Sequence, residues 1–304
     1  MHIAQIICTL NPSYGGPATV VHRMSSALAG LGHRVTVISR EDPLQSQAID
    51  RTIAQTPGSD EVRYLRIAET SAAGRKQLIR QFRDLASRVD VVHLHGVWEP
   101  ELATIVRVAH QQNLASIVRP FGVLMRYCFN QKAWKKKLAL WLYARRMLNR
   151  VDMIQYLSRI EKEESAHLGL TRQTCIIGNG VSHDVLQSEH ASTSFLDQHP
   201  AISRAGYFLY IGRLHPIKGL DMLVEAYAGY RARGGQRDLV LAGPDDGIRT
   251  SLEKQIHDQR MTDHAHLIGP IGGAEKTRAL RDAFAYVQAS RHETFSVSVL
   301  EAMA

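Results

Sequence analysis

The sequence predicts an α/β protein built from two doubly wound parallel-sheet domains, the second incomplete. Three observations carry this. The chain opens as strand, glycine loop, helix and strand, which is a βαβ unit. A second strand–helix series starts after residue 205, and a polar, weakly periodic stretch separates the two series. The length of 304 residues also exceeds what one hydrophobic core usually organises.

The elements follow in order. "HIAQIICTL" is short, apolar and β-branched, and reads as the first strand. "NPSYGGP" is the turn, with Pro17 suited to a first helical position. "ATVVHRMSSALAGL" has helical spacing and ends at Gly30 and Gly32; "HRVTVISR" is the next strand. Further strands read at "VDVVHLHG", "ASIVRPFG", "VDMIQYLS" and "TCIIGNG", which gives a first domain over residues 1–181. Residues 182–205 read as the linker. The second domain, 206–304, alternates strands at "YFLYIGR", "RDLVLAGP", "AHLIGP" and "AYVQAS" with helices at "GLDMLVEAYAGYRAR", "GIRTSLEKQIHDQR" and "GAEKTRALRDA". Two such domains in tandem imply a cleft facing the carboxyl ends of both sheets, with sites in the loops after the strands. "FSVSVLEAMA" stops among helix formers with no cap or polar tail, so the chain is expected to be truncated at its C-terminus.

Composition narrows the class. With 44% hydrophobic and 22% charged residues, neither a disordered nor a fibrous chain fits. The net charge of +8 is concentrated: residues 102–151 contain ten Lys or Arg and no Asp or Glu, and the rest is close to neutral. Cys8, Cys128 and Cys175 are sparse, odd in number and unpaired by motif, as in a reduced, cytoplasmic protein. The N-terminus lacks the basic lead-in and long apolar core of a signal peptide. No apolar run approaches the ~18 residues that span a bilayer.

Three loops carry chemistry. Gly15 and Gly16 follow the first strand and open a helix, where backbone amides can approach a phosphate. The pattern is not GxGxxG, and no acidic residue sits where an NAD ribose would need one, which argues against a dehydrogenase. In "IGRLHPIKG", Arg213 and Lys218 leave a strand end five residues apart across Pro216, a pair suited to a diphosphate. In "RHETFSVSVLEAMA", Glu293 follows a strand and Glu301 lies in the next helix. One carboxylate can face a reacting sugar and the other accept ribose hydroxyls, while Thr294, Phe295 and Ser296 offer amides at a helix start.

Taken together and in order, these loops resemble the retaining GT-B glycosyltransferases of family four, the group 1 glycosyl transferases. The likeness runs along the chain through "SYGGPATVVHRMSSALAGLGHRVTVIS", "DVVHLHGVWEP", "CIIGNGV", "YIGRLHPIKGLDMLVEAY", "LVLAGP", "HLIGPI" and "ETFSVSVLE". It implies a GT-B fold, two Rossmann-like domains facing across a cleft, the first on the acceptor side and the second binding a nucleotide sugar. It implies that Gly15 and Gly16 touch the donor diphosphate, that Arg213 and Lys218 neutralise it, that Glu293 lies by the donor sugar, and that Glu301 holds the ribose. The backbone over residues 269–271, with Gly269 and Ile271, would seat the base. The implied reaction moves a sugar to an acceptor hydroxyl with retention, in cell-envelope or exopolysaccharide synthesis. It proceeds front-face, with Glu293 orienting rather than attacking. A nucleotide-sugar epimerase of the same fold, or an impaired remnant that only binds nucleotide, is the alternative.

Departures from the pattern stand out. Relatives often carry "RPHG" or "SPRG" where this chain has "RPFG", which puts Phe121 where a polar side chain is thought to meet the donor sugar. Either Arg119 or His95 would then cover that role, or the activity is altered. "ETFS" replaces the commoner "EGFG", so Thr294 and Ser296 narrow the pocket.

The remaining signals concern metal and membrane. His93 and His95 end a strand and are expected on opposite faces, so they are not read as joint ligands; His95 is placed near the cleft for acceptor contact. No DxD motif is present, so no metal cofactor is expected, and Asp245 and Asp246 read as turn residues. On a helical wheel Lys132, Lys135, Lys136, Arg146 and Arg150 share a ~100° arc opposite Trp134, Leu138, Trp141, Leu142 and Leu148. This reads either as a solvated basic face over a buried apolar one, or as a face for an anionic inner membrane surface carrying a lipid-linked acceptor. Nucleic acid is not expected, because no stacking or recognition-helix pattern accompanies the charge.

Overall fold

The computed structural model describes residues 1–11, 16–181 and 193–304, which divide into two units, Met1–Asn179 and Gly180–Ala304. In the first unit the order is β1 (His2–Ile7), α1 (Gly16–Gly30), β2 (Arg34–Arg40), α2 (Ser46–Ala54), β3 (Val62–Ile67), α3 (Ala72–Ala86), β4 (Val91–His95), α4 (Pro100–Gln111) and β5 (Ala115–Arg119). It continues through α5 (Arg126–Asn130), α6 (Ala133–Ala139), α7 (Arg145–Leu148), β6 (Met153–Tyr156), α8 (Arg159–Ser165) and β7 (Gln173–Ile176). The seven strands form one parallel sheet in the order β3-β2-β1-β4-β5-β6-β7.

Both faces of that sheet are covered, as parallel strands require. Alternate residues feed opposite cores. Val35 and Val37 of β2 pack with Val21 of α1 and Ile49 of α2, while Ile38 packs with Leu78 and Phe82 of α3. Strand β3 is absent from the sequence-based assignment. Arg63 and Arg66 break the apolar run there, yet Val62 and Ile67 are buried.

The second unit comprises α9 (Phe195–Gln198), β8 (Tyr207–Ile211), α10 (Leu220–Ala232), β9 (Asp238–Ala242), α11 (Arg249–Asp258), β10 (Ala265–Gly269), α12 (Gly273–Asp282), β11 (Ala285–Tyr286) and α13 (Val297–Met303). Its parallel sheet runs β10-β9-β8-β11. Leu239 and Leu241 face one core and Val240 the other.

The linker expectation needs correction at its second half. Of residues 182–205, 182–192 lie outside the described residues. Residues 193–205 belong to the second unit. Phe195 and Ile202 are buried with Tyr207, Leu209 and Ala279. Ser194 Oγ and the Phe195 amide donate to Asp282 at 2.9 and 2.7 Å, and the Ser203 amide donates to Asp238 at 2.8 Å. Phe195, Leu196 and Ile202 are too few in a polar stretch to set a clear period, so the sequence pattern hides their burial.

In each sheet the strand order reverses once: between β1 and β4 in the first unit, and between β8 and β11 in the second. At such a point the flanking helices diverge to opposite faces and leave a crevice at the carboxyl strand ends.

Phe195→Ala tests the reassigned segment. A fully buried phenylalanine lost to alanine costs about 3–5 kcal/mol. Denaturant unfolding followed for the second unit should show a loss of that size, and a loss typical of a surface change would contradict the assignment.

Candidate functional site

At the reversal of the second sheet, the loop after β8 and the loop after β11 meet. Lys218 Nζ donates to Glu293 Oε2 at 2.7 Å, although the two residues are 75 positions apart. Gln288 Nε2 also donates to that carboxylate, at 3.0 Å.

Backbone contacts bring the loops together. The amides of Phe284 and Val287 donate to the carbonyls of Tyr207 and Leu209, and beyond the strand the Arg291 amide donates to Ile217 O at 2.8 Å. The Arg291 guanidinium then grips Asp221 at the start of α10 with two bonds, 2.8 and 2.6 Å, and donates to Pro216 O at 3.0 Å. Gly219 allows the approach. Its φ is +62°, and a Cβ there would lie 2.2 Å from Ala289 O. The β8 loop holds its own shape: Tyr210 Oη donates to Arg213 O at 3.0 Å, and His215 Nδ1 accepts from the Ile217 amide at 3.1 Å.

Arg213 lies on the same loop as Lys218 and pairs with Asp246 at 2.5 Å. Asp245 behaves as a turn residue, accepting from the amides of Gly247, Ile248 and Arg249. Asp246 does more than the turn reading expects, because it sets the Arg213 guanidinium. Gly269 ends β10 with φ +80°, and its carbonyl accepts from the Gly243 amide at 2.7 Å. Ile271 packs on the core containing Val240.

After Glu293, residues Thr294 and Phe295 lead into Ser296, which caps α13 by accepting from the Val299 amide. Glu301 is 5% exposed and pairs with Lys276 of α12. Tyr286 Oη donates to Ser298 Oγ at 2.7 Å, tying β11 to α13. Asp221, Arg291 and Lys276 were not singled out from the sequence. Their partners lie 25 or 70 residues away, and only the strand order brings them together.

The carboxyl ends of the first sheet hold a buried polar group. Gly15 lies outside the described residues; Gly16 begins α1 and is exposed. His95 is 3% exposed, with Nε2 at 2.6 Å from Gln5 Oε1 and its ring 5.7 Å from that of Phe121. His93 and His95 lie on the same face, ring centroids 4.3 Å apart. The expected opposite placement is wrong, because side chains two apart in a strand project to one side. Among the described residues no group of three or more His, Cys, Asp or Glu could hold a metal ion.

Arg119 is 2% exposed. It donates to Asn179 Oδ1 at 2.6 Å, and its guanidinium carbon lies 4.9 Å over the Phe121 ring. Phe121 itself sits at φ +55°, a conformation that a bulky side chain adopts only when its surroundings impose it. Buried Glu161 supplies part of that constraint by accepting from the amides of Gly122 and Leu157. Burial raises the Glu161 carboxyl pKa and lowers that of Arg119. Burial pushes His93 down to about 3 and His95 well below the usual histidine value.

The family described as "Glycosyl transferase 4-like domain" matches residues 15–180, and "Glycosyl transferases group 1" matches residues 192–304. The chain belongs to the glycosyl transferase 4-like family.

Two similar proteins are transferases by name. The GDP-mannose:cellobiosyl-diphosphopolyprenol alpha-mannosyltransferase of Xanthomonas oryzae is 24% identical over all of this chain and 76% of its own length. The D-rhamnosyltransferase WbpZ of Pseudomonas aeruginosa is 25% identical over 74% of this chain and 55% of its own. The Anabaena protein HepE, solved with UDP and glucose, superposes over the whole chain and 78% of its own, with a TM-score of 0.75 at 17% identity. The fold is that of the GT-B glycosyltransferases.

The two histidines give a pH test. Both are held neutral in the fold, whereas in the unfolded chain they take up protons near pH 6.5. Below that pH the unfolded state binds more protons, so stability falls on acidification by about 1.4 kcal/mol per pH unit for each histidine. In urea unfolding across the acid range, His95→Gln should remove one histidine's share of this slope. A slope equal to that of the native chain would contradict the assignment.

Proposed function

We propose that this glycosyltransferase moves a sugar from a nucleoside-diphosphate sugar to an acceptor hydroxyl with retention at the anomeric carbon. The observation that supports this best is the meeting of Lys218 with Glu293 at the reversal of the second sheet, with Arg213 on the same loop. Two cations on a loop whose backbone is held by its own hydrogen bonds can stabilise charge on a departing diphosphate once it takes them from their carboxylate partners. In this reading no metal cofactor takes part. Glu293, freed from Lys218 when the diphosphate takes the ammonium, turns to the donor sugar and orients it. Glu301, paired with Lys276 on the inner side of α13, presents its carboxylate to the ribose. Thr294, Phe295 and Ser296 provide amides to the phosphates, and the backbone at Gly269 and Ile271 seats the base.

On the acceptor side, the reading places the hydroxyl at the carboxyl ends of the first sheet, beside Phe121 and above His95. The Xanthomonas relative's name specifies a diphosphopolyprenol-linked acceptor, and a lipid-linked saccharide is the acceptor class proposed here, on the cytoplasmic face of the membrane in envelope or exopolysaccharide synthesis. Among the described residues no helix is long and apolar enough to cross a membrane.

The test is turnover. Incubated with a panel of nucleotide sugars, the chain should release nucleotide from one of them. The anomeric proton coupling of the transferred sugar should match that of the donor. Glu293→Gln should lower kcat/KM by about 100-fold, the scale of removing one transition-state contact. Release that is unaffected by this change would reject the assignment of Glu293, and an inverted product would reject retention.

A further inference from the structure

The acid-free segment folds into α6, a π-helical turn (Leu140–Ala144) and α7 in succession. Its outer side is apolar and uncovered. Trp134 is 67% exposed, Leu138 48%, Trp141 80% and Leu142 58%. Spacings of four, three and one place these four side chains on one face. The π turn ends at Ala144, which enters the core together with Met147 and Leu148 of α7. π turns of this kind recur at functional sites.

Trp141 belongs to a second feature as well. It lines a cavity of about 490 Å³ with Arg145, Arg146, Asn149, Arg150 and Arg172. Two of these arginines are fixed by backbone carbonyls. Arg145 donates to Leu168 O at 2.6 Å, and Arg172 donates to Val151 O at 2.6 Å and Arg150 O at 3.3 Å. Among the described residues no carboxylate forms an ion pair with any of the four. The cavity lies near the amino ends of β6 and β7, whereas His95, Arg119 and Phe121 lie at the carboxyl ends of their strands. It is therefore separate from the proposed reaction site.

Four guanidiniums in one recess, partly pre-oriented and without a counter-charge, match the oxygens of a phosphate. An adjoining Trp/Leu ridge flanked by exposed Lys135 and Lys137 matches the headgroup boundary of a bilayer, where tryptophan places an apolar body and a polar edge. We propose that this face docks the first unit on an anionic phospholipid bilayer, with Trp134, Leu138, Trp141 and Leu142 entering the headgroup layer and a lipid phosphate seated among the four arginines. The inference goes beyond the transfer reaction and does not depend on it. It also revises the docking set expected from the sequence. Lys132, Lys135, Arg146 and Arg150 stay on the surface or line the cavity, but half-buried Lys136 donates to Cys128 O and lies over the Trp98 ring.

Co-sedimentation of the full chain with vesicles tests this, comparing phosphatidylcholine alone with phosphatidylcholine plus phosphatidylglycerol. Binding should require phosphatidylglycerol and weaken as salt rises. Arg146→Gln, at a side chain that makes no internal bond among the described residues, should lower affinity about fivefold, the scale for one basic residue at an anionic surface. The pair Trp141→Ala and Leu142→Ser should abolish binding with the far-ultraviolet dichroism unchanged. Equal binding to both vesicle types, no binding, or native affinity in either variant would overturn the proposal. So would a native dimer that these apolar changes disperse and that ignores vesicles.

Discussion

Lys218 and Glu293 are held together by chain topology before charge enters. Parallel pairing of β8 with β11 sets the ends of two distant loops side by side, and the Arg291–Ile217 backbone bond continues the pairing past the strand. Gly219 removes the Cβ that would keep the loops apart, and Arg291 closes on Asp221. Only then does a 2.7 Å ammonium–carboxylate contact become accessible. Half-buried and still reached by solvent, the pair adds little to stability, on the order of 1 kcal/mol. Its consequence is positional: a cation and an anion are kept side by side at the crevice, and in the proposed reaction a diphosphate competes for that cation.

The first sheet solves a different problem at the equivalent end. Its polar side chains are buried rather than open. His95 is spent on Gln5, Arg119 on Asn179, and Phe121 lies against both. Buried, paired groups keep one geometry, because loss of either partner leaves an unsatisfied polar atom. The left-handed backbone at Phe121 is held by the Glu161 bond to the Gly122 amide, so the loop is fixed from beneath. Arg40 and Glu101, buried at 2.6 Å from each other, fix the neighbouring strand end in the same way.

Much of this was legible in the sequence. Short apolar runs gave ten of the eleven strands among the described residues, the loops after them held Arg213, Lys218 and Glu293, and the helix that follows held Glu301. What escaped has physical reasons. Strand β3 carries arginines at its edge of the sheet, so its apolar run is broken. Phe195, Leu196 and Ile202 are too few to set a period. Asp221, Arg291 and Lys276 are ordinary surface charges until the strand order pairs them. The helical wheel found the two faces of the basic segment, but an ideal wheel contains no π turn. It could not show that Leu148 is buried while Trp134, Leu138, Trp141 and Leu142 stay in solvent.

The central claim is that the crevice between the β8 and β11 loops receives a nucleoside diphosphate whose charge Lys218 meets. Calorimetric titration of UDP, GDP and ADP into the full chain and into Lys218→Ala tests it directly. The account predicts that one of the three binds the native chain and binds the variant at least about tenfold more weakly, the scale of one charged hydrogen bond. Equal affinity in the two chains, or no binding of any of the three, would contradict it.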